Sequence, residues 1–380
     1  MNILFLDQFS DLGGGQQCLL DLLPAIQKRD WTAHLCIPGS GPLFQVARPF
    51  CASIAKIPCG PFHSGNKGWT DLARLIWQLP FQVRVISRLI REREIDVVYV
   101  NGARLLPSAA FAVKEVPMLF HCNIPVVQRA AAALAEYCVQ RRKATVIVNS
   151  RLEAKLFESL VPSERLHLVY NGVRAFPEAQ PPLDGKLRIG LIGRIAPEKG
   201  QLEFVQAVQL MGSSASNCRF IICGAPLFGD PEYFRRVKAA SEGLPIEFMG
   251  WLDDISPVLS NLHLLVVPSG ASEATTRTIP EAYSAGVPVI AFPNAALPEM
   301  VEHGRTGWLV EPTPSALASK LRELIANPAQ LTEMRGYART AWQERFTRER
   351  YQREIVEILE RFDPANQRTP LQSAGQNVRK

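Results

Sequence analysis

The chain has 380 residues, of which 47% are hydrophobic and 21% charged, and its formal net charge is +6. This length exceeds what one hydrophobic core usually supports, so we expect about two domains, and the composition excludes a disordered protein. The first apolar run stops at Asp7 and has no basic residues before it, which predicts a first strand rather than a signal peptide. No run of about 18 apolar residues follows, so a spanning helix is not expected and the protein should be cytoplasmic.

Strand and helix patterns alternate along the first 175 residues. Short apolar runs predict strands, and apolar residues at helical spacing predict the helices between them. The predicted strands cover 3–6, 33–37, 96–100, 118–121 and 145–148, and the predicted helices cover 16–27, 72–93, 106–112 and 126–142. This βαβ series predicts a doubly wound parallel sheet, which we assign to a first domain over 1–175.

A proline-rich stretch over 176–186 has no apolar period and is the predicted linker to a second βαβ series. The predicted strands of that series cover 187–191, 219–223, 246–248, 264–267, 287–291 and 307–310, and its helices cover 201–211, 231–240, 255–260, 279–284, 314–326 and 328–346. The second domain is therefore assigned to 187–346. A further helix over 347–362 and a loose polar tail over 363–380 follow it.

The stretch after the strand at 264–267 carries two glutamates, Glu273 and Glu281. Glu273 is predicted in the loop after the strand and Glu281 in the first turn of the next helix, where ligands of open α/β sheets bind. A carboxylate accepts hydrogen bonds from two vicinal hydroxyls, as sugars and ribose present them. The pair therefore indicates a sugar-transferring enzyme, with a solvated loop charge and a partner for the helix dipole as the ordinary alternative.

Cations and glycines follow two other predicted strands. Arg194 and Lys199 follow the first strand of the second series, where they can grip a diphosphate and stabilise charge on a departing nucleoside diphosphate. Gly13, Gly14 and Gly15 lead from the first strand of the chain into a helix, where backbone N–H groups can meet a phosphate. Surface charges around a turn and a flexible glycine turn are the structural alternatives.

The eight cysteines and six histidines show no metal-ligand spacing. Several cysteines lie inside apolar strand-like runs, so we expect buried reduced thiols. No structural metal is predicted.

The positive charge is concentrated in the first half of the chain. Residues 1–180 hold 20 Lys and Arg against 14 Asp and Glu, so they carry the whole excess. The densest part, with Arg84, Arg88, Arg91 and Arg93, predicts a basic amphipathic helix. Such a helix meets an anionic membrane or an acidic substrate, or packs with a solvated polar face. Nucleic-acid binding is not expected, because basic and aromatic residues do not interleave.

Together these motifs resemble glycosyltransferase family 4. The resemblance covers residues 1–360 and is carried by Gly193-Arg194-x-x-x-x-Lys199-Gly200, the Glu273/Glu281 pair, Val-Tyr-Asn-Gly-Val at 169–173 and Pro-Glu-Met-Val-Glu-His-Gly-Arg-Thr-Gly-Trp-Leu-Val at 298–310. It implies a retaining enzyme with the GT-B fold, in which two Rossmann-like, doubly wound α/β domains face each other and the last helix crosses back to the first domain.

The resemblance also implies the partners of such an enzyme. The co-substrate would be a UDP- or GDP-sugar, and no cofactor or metal would be required, because Arg194 and Lys199 supply the positive charge. The acceptor would be a glycan or glycolipid bound by the first domain, in cell-surface polysaccharide or glycolipid synthesis. Since that domain holds the excess charge, we hypothesise peripheral contact with the inner membrane face.

Individual roles follow from the same resemblance. The implied donor site comprises Gly14, Gly15, Arg194, Lys199, Gly250, Trp251, Leu252, Glu273, Ala274, Thr275, Thr276 and Glu281. The implied catalytic residues are Glu273, His121, Arg194 and Lys199. Glu281 would bind the ribose and Glu273 the transferred sugar, while His121 would lie near the sugar hydroxyls unless it is structural. Front-face substitution, in which the leaving phosphate deprotonates the acceptor, suits a chain without an acid–base dyad.

One segment departs from the family pattern. The first glutamate is usually followed by Gly-Phe-Gly or Pro-Phe-Gly, whereas Ala274, Thr275 and Thr276 follow it here. Thr276 adds a Cβ and a hydroxyl, which either bonds the sugar or narrows the pocket, so donor choice should differ from that of the relatives. A nucleotide-sugar epimerase of related fold and a non-catalytic nucleotide-sugar-binding protein remain open alternatives.

Overall fold

The structure is a computed structural model of the chain. It describes residues 1–60, 69–123, 129–182, 184–227, 231–270 and 275–367. The chain divides into two compact units, each with its own parallel sheet. Within the described ranges, the first unit comprises residues of 1–149, 153–170 and 349–367, and the second comprises residues of 150–152 and 171–348.

The first unit is built on a sheet that has seven parallel strands within the described ranges. The strands are β1 (Asn2–Asp7), β2 (Thr32–Ile37), β3 (Ser53–Lys56), β4 (Val97–Asn101), β5 (Met118–Cys122), β6 (Thr145–Val148) and β7 (Leu166–Leu168). The α-helices of this part of the chain are α1 (Gly14–Lys28), α2 (Pro42–Ala47), α3 (Trp69–Glu92), α4 (Leu106–Ala112), α5 (Arg129–Arg142) and α6 (Arg151–Phe157). The strand order is β3-β2-β1-β4-β5-β6-β7, so it reverses between β1 and β4. Ligands of open α/β sheets bind at the carboxyl ends of the strands where such a reversal occurs.

The second unit repeats this plan with a sheet of six parallel strands in the part of the chain that the structure describes. The strands are β8 (Leu187–Ile192), β9 (Cys218–Cys223), β10 (Ile246–Gly250), β11 (Leu264–Val267), β12 (Val289–Ala291) and β13 (Gly307–Leu309). The α-helices are α7 (Gln201–Met211), α8 (Pro231–Ala240), α9 (Ser256–Leu259), α10 (Thr278–Ser284), α11 (Leu297–Met300), α12 (Pro314–Ala326) and α13 (Ala329–Arg345). The order is β10-β9-β8-β11-β12-β13, with the reversal between β8 and β11.

The chain then returns to the first unit with α14 (Arg348–Glu360) and α15 (Pro364–Gln367). Tyr351, Ile355 and Leu359 of α14 are buried in the hydrophobic cluster that includes side chains of β1 and β4. The helix predicted over 347–362 therefore belongs to the core of the first unit.

The observed elements differ from the predicted ones mainly at the sheet edges. β3 and β7, which the sequence patterns miss, are the edge strands of the first sheet and are only partly buried, so their apolar patterns are weak. The short helices α2 and α6 are also missed.

The predicted linker over 176–186 is part of the second unit, and the division falls after Tyr170 rather than at 175. The backbone of this segment is bonded into that unit, because Ala179 N–H donates to the Ala285 carbonyl at 2.8 Å and Gln180 N–H to Ser260 at 2.8 Å. A proline-rich composition therefore does not make this segment a spacer.

Candidate active site

The loops that follow β8 and β11 meet at the order reversal of the second sheet. The N–H of Gly270 donates to the carbonyl oxygen of Glu198 at 2.9 Å. Gly200 has a φ of +73°, and a Cβ placed on it would lie 2.0 Å from the Pro268 carbonyl oxygen. Glycine is therefore required at this position, and the close approach brings Lys199 to the loop after β11.

A small pocket lies at this reversal. Lys199, Thr276 and Thr278 line it, together with the apolar carboxyl ends of β8 and β11. Thr276 is buried, and its Oγ1 lies 2.8 Å from Oγ1 of Thr278. The hydroxyl that distinguishes this chain from the usual family glycine thus bonds to a neighbouring threonine. The pocket combines an ammonium group with hydroxyls, which are groups that bind phosphate and sugar oxygens.

Arg194 lies on the turn after β8 and has protein partners. Its Nη2 donates to Oε1 of Glu198 at 2.7 Å, and its Nη1 donates to the Leu227 carbonyl at 3.3 Å. The turn is closely packed, because a Cβ on Gly224 would lie 1.8 Å from the Gly193 carbonyl oxygen. The side chains of Arg194 and Glu198 are 30% and 31% exposed, so an anion from solvent has access to the guanidinium.

Glu281 lies in the first turn of α10 and is mostly buried. Its Oε1 lies 3.7 Å from Nε of Arg277, and Nη1 of Arg277 donates to the Gly172 carbonyl at 3.2 Å. The bond to Gly172 fixes the guanidinium of Arg277, and Arg277 in turn orients the carboxylate of Glu281. Arg277 is not among the predicted site residues, although a cation four positions before a carboxylate is the signal for such a pair.

The predicted donor-site segment Gly250-Trp251-Leu252 lies at the same carboxyl edge of the sheet. Gly250 ends β10 with a φ of +71°, and its carbonyl accepts a hydrogen bond from Gly224 N–H at 2.8 Å. Trp251 follows with an exposed side chain, and Leu252 is partly buried. The bond from Gly224 connects this segment to the turn that carries Arg194.

The loop after β11 is described only in part. Glu273 and Ala274 lie outside the described residues. Thr275 is described, and its Oγ1 accepts a hydrogen bond from Nδ2 of Asn171 at 3.4 Å. The structure therefore brings Thr275, Thr276 and Lys199 to one loop cluster, and the predicted role of Glu273 stays a prediction.

The glycine turn lies at the order reversal of the first sheet. α1 begins at Gly14 after an extended Gly13, and no side chain caps it. The N–H groups of a first helical turn have no partners within the helix, so they are available to a ligand. In the sheet beside this turn, Asp7 of β1 stands opposite Asn101 of β4.

His121, on β5, is buried and has side-chain partners at both ring nitrogens. Its Nδ1 lies 2.6 Å from the Tyr99 hydroxyl, and its Nε2 lies 2.8 Å from Oδ1 of Asn149. Burial lowers the pKa of His121 to about 4, so the ring is neutral at neutral pH. Contact between this ring and a sugar hydroxyl, as predicted, would require one of these hydrogen bonds to break.

Asparagine side chains extend this network from His121 to the end of β1. Asn149 Nδ2 donates to Asn123 Oδ1 at 3.0 Å, and Asn123 Nδ2 donates to Asn101 Oδ1 at 2.5 Å. Asn101 Nδ2 then donates to Asp7 Oδ2 at 2.5 Å. We call the following side chains the Asp7 relay: Tyr99, His121, Asn149, Asn123, Asn101 and Asp7.

The motifs described above do not predict this relay, although the sequence contains a regular signal for it. β1 and β4 end in Asp7 and Asn101, and β5 and β6 are followed directly by Asn123 and Asn149. A polar residue at the same place after four apolar strands predicts a polar cluster at one sheet edge, because the strands are parallel.

Asp7 is fully buried and accepts further hydrogen bonds. Its Oδ1 accepts from the Phe9 N–H at 2.9 Å and from Gln16 Nε2 at 2.8 Å. Burial raises the pKa of Asp7 to about 6, and these hydrogen bonds oppose the shift without cancelling it. The carboxyl group is therefore ionised at neutral pH and titrates near pH 6.

Among the described residues, neither metal ligands nor reactive thiols form a further site. Within the ranges that the structure describes, no group of three His, Cys, Asp or Glu side chains is arranged to hold a metal ion. Burial raises the pKa of Cys36 and Cys218 to about 12, so both thiols remain protonated at neutral pH. Among the described helices, none has the length and apolar character needed to cross a bilayer.

Comparison with solved structures confirms the fold. Anabaena HepE, solved in complex with UDP and glucose, matches with a TM-score of 0.78 over 95% of this chain and 99% of its own, at 22% identity. At that identity the likeness concerns the fold. Together with the two parallel sheets, it defines a protein of the GT-B class.

Family profiles match both halves of the chain. The profile for Glycosyltransferase Family 4 matches residues 12–175, and the profile for Glycosyl transferases group 1 matches residues 186–327. The chain belongs to glycosyltransferase family 4, as the motifs predicted.

Curated relatives match part of the chain. The amylovoran biosynthesis glycosyltransferase AmsK of Erwinia amylovora is 26% identical over 229 residues, and the lipopolysaccharide 1,2-N-acetylglucosaminetransferase of Salmonella typhimurium is 28% identical over 215. These matches cover 56% and 49% of this chain and 55% and 56% of the relatives. The chain thus spans about half the length of the curated relatives it matches.

Proposed function

We propose that this protein is a retaining glycosyltransferase that moves a sugar from a UDP- or GDP-sugar to a hydroxyl group of a glycan or glycolipid. The observation that carries the proposal is the pocket at the β8/β11 reversal, where Lys199 lies beside Thr276 and Thr278. Family membership supports the reaction class. Relatives named for amylovoran biosynthesis and for N-acetylglucosamine transfer in lipopolysaccharide favour a role in cell-surface polysaccharide or glycolipid synthesis.

In this proposal the second unit binds the nucleotide part of the donor. Lys199 supplies a point charge and Arg194 a planar fork, which together match a diphosphate. The arriving diphosphate replaces Glu198 as the partner of Arg194. Glu281 binds the ribose hydroxyls and needs little reorientation, because Arg277 already holds its carboxylate. The backbone at Gly250 and Leu252 lies beside the nucleobase.

Transfer then depends on charge stabilisation and positioning. The bond between the sugar and the phosphate breaks, and Arg194 and Lys199 stabilise the negative charge that grows on the leaving diphosphate. The leaving oxygen takes the proton of the acceptor hydroxyl, and the new bond forms on the same face, so the anomeric configuration is retained. Glu273 contacts the transferred sugar.

The test combines donor binding with turnover. A thermal-shift screen of UDP-glucose, UDP-galactose, UDP-N-acetylglucosamine and GDP-mannose identifies the donor, because a ligand that binds the folded state raises the melting temperature. With that donor, Lys199→Ala and Glu281→Ala should each lower kcat/KM for transfer or donor hydrolysis about 100-fold or more. The matched controls are Lys186→Ala and Glu323→Ala, which remove exposed charges of the same sign from the same unit and should leave kcat/KM unchanged.

Several outcomes would contradict the proposal. Turnover near that of the wild type in Lys199→Ala or Glu281→Ala would remove the donor-site assignment. A product with inverted anomeric configuration, read by NMR, would exclude retention. A rearranged nucleotide sugar formed without acceptor would identify an epimerase instead, and binding without any turnover would indicate a non-catalytic protein.

We also propose that α3 contacts an anionic membrane face, where a glycolipid acceptor is found. Along its exposed face, an apolar half with Trp77 and Phe81 is followed by a basic half with Arg84, Arg88 and Arg91. Apolar and basic residues on one exposed helix face are typical of interfacial membrane binding.

A further inference from the structure

We infer that Asn123 binds a hydroxyl group of the donor's sugar and that the Asp7 relay holds its amide in one orientation for that contact. The inference rests on the proposed function, because it takes the ligand to be a nucleotide sugar. Asn123 directly follows β5 and lies two positions after His121, whose ring nitrogens both have protein partners. We therefore assign the role in donor specificity to Asn123 rather than to His121.

Asp7 sets the direction of the relay at one end. An ionised carboxylate can only accept hydrogen bonds, so the Asn101 atom that lies 2.5 Å from Oδ2 of Asp7 is the amide nitrogen. The oxygen of Asn101 is then turned to Asn123 and accepts from its nitrogen. By the same argument, the oxygen of Asn123 accepts from Asn149.

His121 and Tyr99 complete the relay at the other end. Asn149 presents its oxygen to Nε2 of His121, which must carry the proton. Since the ring is neutral, Nδ1 accepts a hydrogen bond from the Tyr99 hydroxyl. Burial raises the pKa of Tyr99, so its phenol is protonated and can donate. Every hydrogen bond of the relay therefore points from Tyr99 towards Asp7.

This direction fixes the amide of Asn123. An amide turned by 180° would place the oxygen of Asn123 against the oxygen of Asn101, and its nitrogen against the nitrogen of Asn149. Both contacts would be repulsive, so the relay excludes the turned form. The N–H and the carbonyl oxygen of Asn123 therefore have fixed positions, and the amide does not need to reorient when a ligand binds.

Asn123 also keeps hydrogen-bonding capacity that the relay does not use. A side-chain amide has two N–H donors and two lone pairs, and the relay uses one of each at Asn123. Asn101 and Asn149 are buried, whereas Asn123 is partly exposed. Among the amides of the relay, it is therefore Asn123 that a ligand can reach.

A hydroxyl group matches this remaining capacity. It donates once and accepts as well, so it can bond to the free N–H and the free lone pair, whereas phosphate oxygens only accept. Asn123 lies beside the glycine turn, because a Cβ on Gly15 would be 3.6 Å from its Nδ2. Gly14 and Gly15 belong to the implied donor site, in which the N–H groups of this turn bind the donor's phosphates. The hydroxyls next to these phosphates belong to the ribose, which the proposed function assigns to Glu281, and to the transferred sugar. We therefore assign Asn123 to the sugar.

Calorimetric titration of the full chain tests the inference. The ligands are UDP or GDP and the nucleotide sugar that gives the largest thermal shift in the panel above. Asn123→Ala should bind the nucleotide sugar about 10-fold more weakly, which is the size expected for one or two lost hydrogen bonds, and should bind the nucleoside diphosphate as the wild type does. The control Asn366→Ala removes an exposed asparagine of the same unit and should change neither affinity.

Deoxy analogues of the sugar separate a direct contact from a structural effect. One monodeoxy analogue should bind the wild type about 10-fold more weakly than the parent donor, and Asn123→Ala should bind that analogue and the parent equally. The comparison holds even if Asn123→Ala lowers the melting temperature, because the affinities of both ligands are measured on the same folded variant.

The outcomes separate this inference from the proposed function. Failure of the wild type to bind any nucleotide sugar or nucleoside diphosphate would overturn both. Normal wild-type binding with unchanged affinity in Asn123→Ala would overturn this inference alone. It would also be overturned if Asn123→Ala lost the same affinity for the nucleotide sugar and for the nucleoside diphosphate. The same holds if no monodeoxy analogue abolished the difference between the wild type and Asn123→Ala.

Discussion

Buried and partly buried polar residues distinguish the two order reversals from the apolar strands that lead to them. At the second sheet, Arg277 orients Glu281 and Glu198 engages Arg194, so the predicted ligand-binding groups are already held by protein partners. At the first sheet, burial raises the pKa of Asp7 and lowers that of His121. Both shifts have the same physical cause, since a low-dielectric interior disfavours the charged form of either group.

These two shifts have opposite effects on stability. The pKa of Asp7 is raised from 3.8 to about 6, so between these values the folded state holds the proton more tightly and its stability falls as pH rises. The pKa of His121 is lowered from 6.5 to about 4, so in its window the unfolded state holds the proton and stability rises with pH. We expect the two contributions largely to cancel between pH 4 and 6.

Single substitutions should reveal the cancellation. Relative to the wild type, His121→Gln should lose stability as pH rises from 4 to 6, and Asp7→Asn should gain stability, each by about 1–3 kcal/mol across the window. Urea denaturation at several pH values measures the difference. Other histidines with lowered pKa values, such as His34 and His263, contribute equally to all three proteins and drop out of the comparison. If the stability of both variants kept the wild-type pH dependence, the shifted pKa values assigned to Asp7 and His121 would be wrong.

Among the elements, α3 has an unusual exposed face. Ile76, Trp77 and Phe81 are 62%, 67% and 45% exposed, and the rings of Trp77 and Phe81 lie 5.5 Å apart. The opposite face is anchored, for example by Gln82, whose Nε2 donates to the Pro58 carbonyl at 2.6 Å. Exposure of aromatic side chains to water is unfavourable in free energy, and insertion into a membrane interface removes this penalty. Arg84, Arg88 and Arg91, which follow along the helix, are attracted to anionic lipid headgroups.

Vesicle binding tests this helix. Combined substitution of Arg84, Arg88 and Arg91 by Ala should weaken binding to vesicles of phosphatidylglycerol and phosphatidylcholine about 100-fold, at about 1 kcal/mol for each arginine near the surface. Trp77→Ala with Phe81→Ala should weaken binding as well, by removing the apolar contact. Co-sedimentation at fixed salt concentration measures both effects.

A matched control uses arginines of the second unit. Arg219→Ala with Arg235→Ala and Arg305→Ala removes three exposed positive charges that are not part of α3 and should leave vesicle binding nearly unchanged. Full binding after neutralisation of the three α3 arginines would refute membrane contact through this face.

For the whole molecule, the most consequential feature is that the end of the chain belongs to the first unit. α14 follows the second unit in sequence, and its buried face completes the hydrophobic cluster of β1 and β4. Gln352 also donates to the Asp21 carbonyl at 2.5 Å, and Trp31 donates to Asp363 at 2.8 Å. The first unit therefore depends on residues that are more than 300 positions distant in the chain.

Loss of packing in α14 should therefore be felt in the first unit. Leu359 is fully buried, so Leu359→Ala should lower the free energy of unfolding of that unit by about 2–5 kcal/mol through the cavity it leaves. Hydrogen exchange should show reduced protection of amides in β1 and β4, with β8 and β11 unchanged. The exposed neighbour Glu357→Ala is the control and should change neither. An equal loss of protection in both sheets would argue against this assignment.

Much of the fold and part of the site follow from local pattern. The alternation of strands and helices, the glycine turns after β1 and β8, and the cations at 194 and 199 are visible because each depends on neighbouring residues. The partners of these groups are not visible in this way. The pairing of Arg277 with Gly172, and the bonding of the 176–186 segment into the second unit, join positions that have no common local pattern.

The sequence thus establishes two βαβ series, the family motifs and the residue types present after each strand, because periodicity and turn chemistry act over a few residues. Folding establishes which of these residues meet. The strand orders reverse at β1/β4 and at β8/β11, and these long-range choices bring Lys199 to Thr276. They also bring the asparagines at the carboxyl ends of β4, β5 and β6 into one chain of hydrogen bonds that ends at Asp7. Strand order and register depend on the burial of whole apolar faces, and that is a property of the assembled sheet rather than of any single segment.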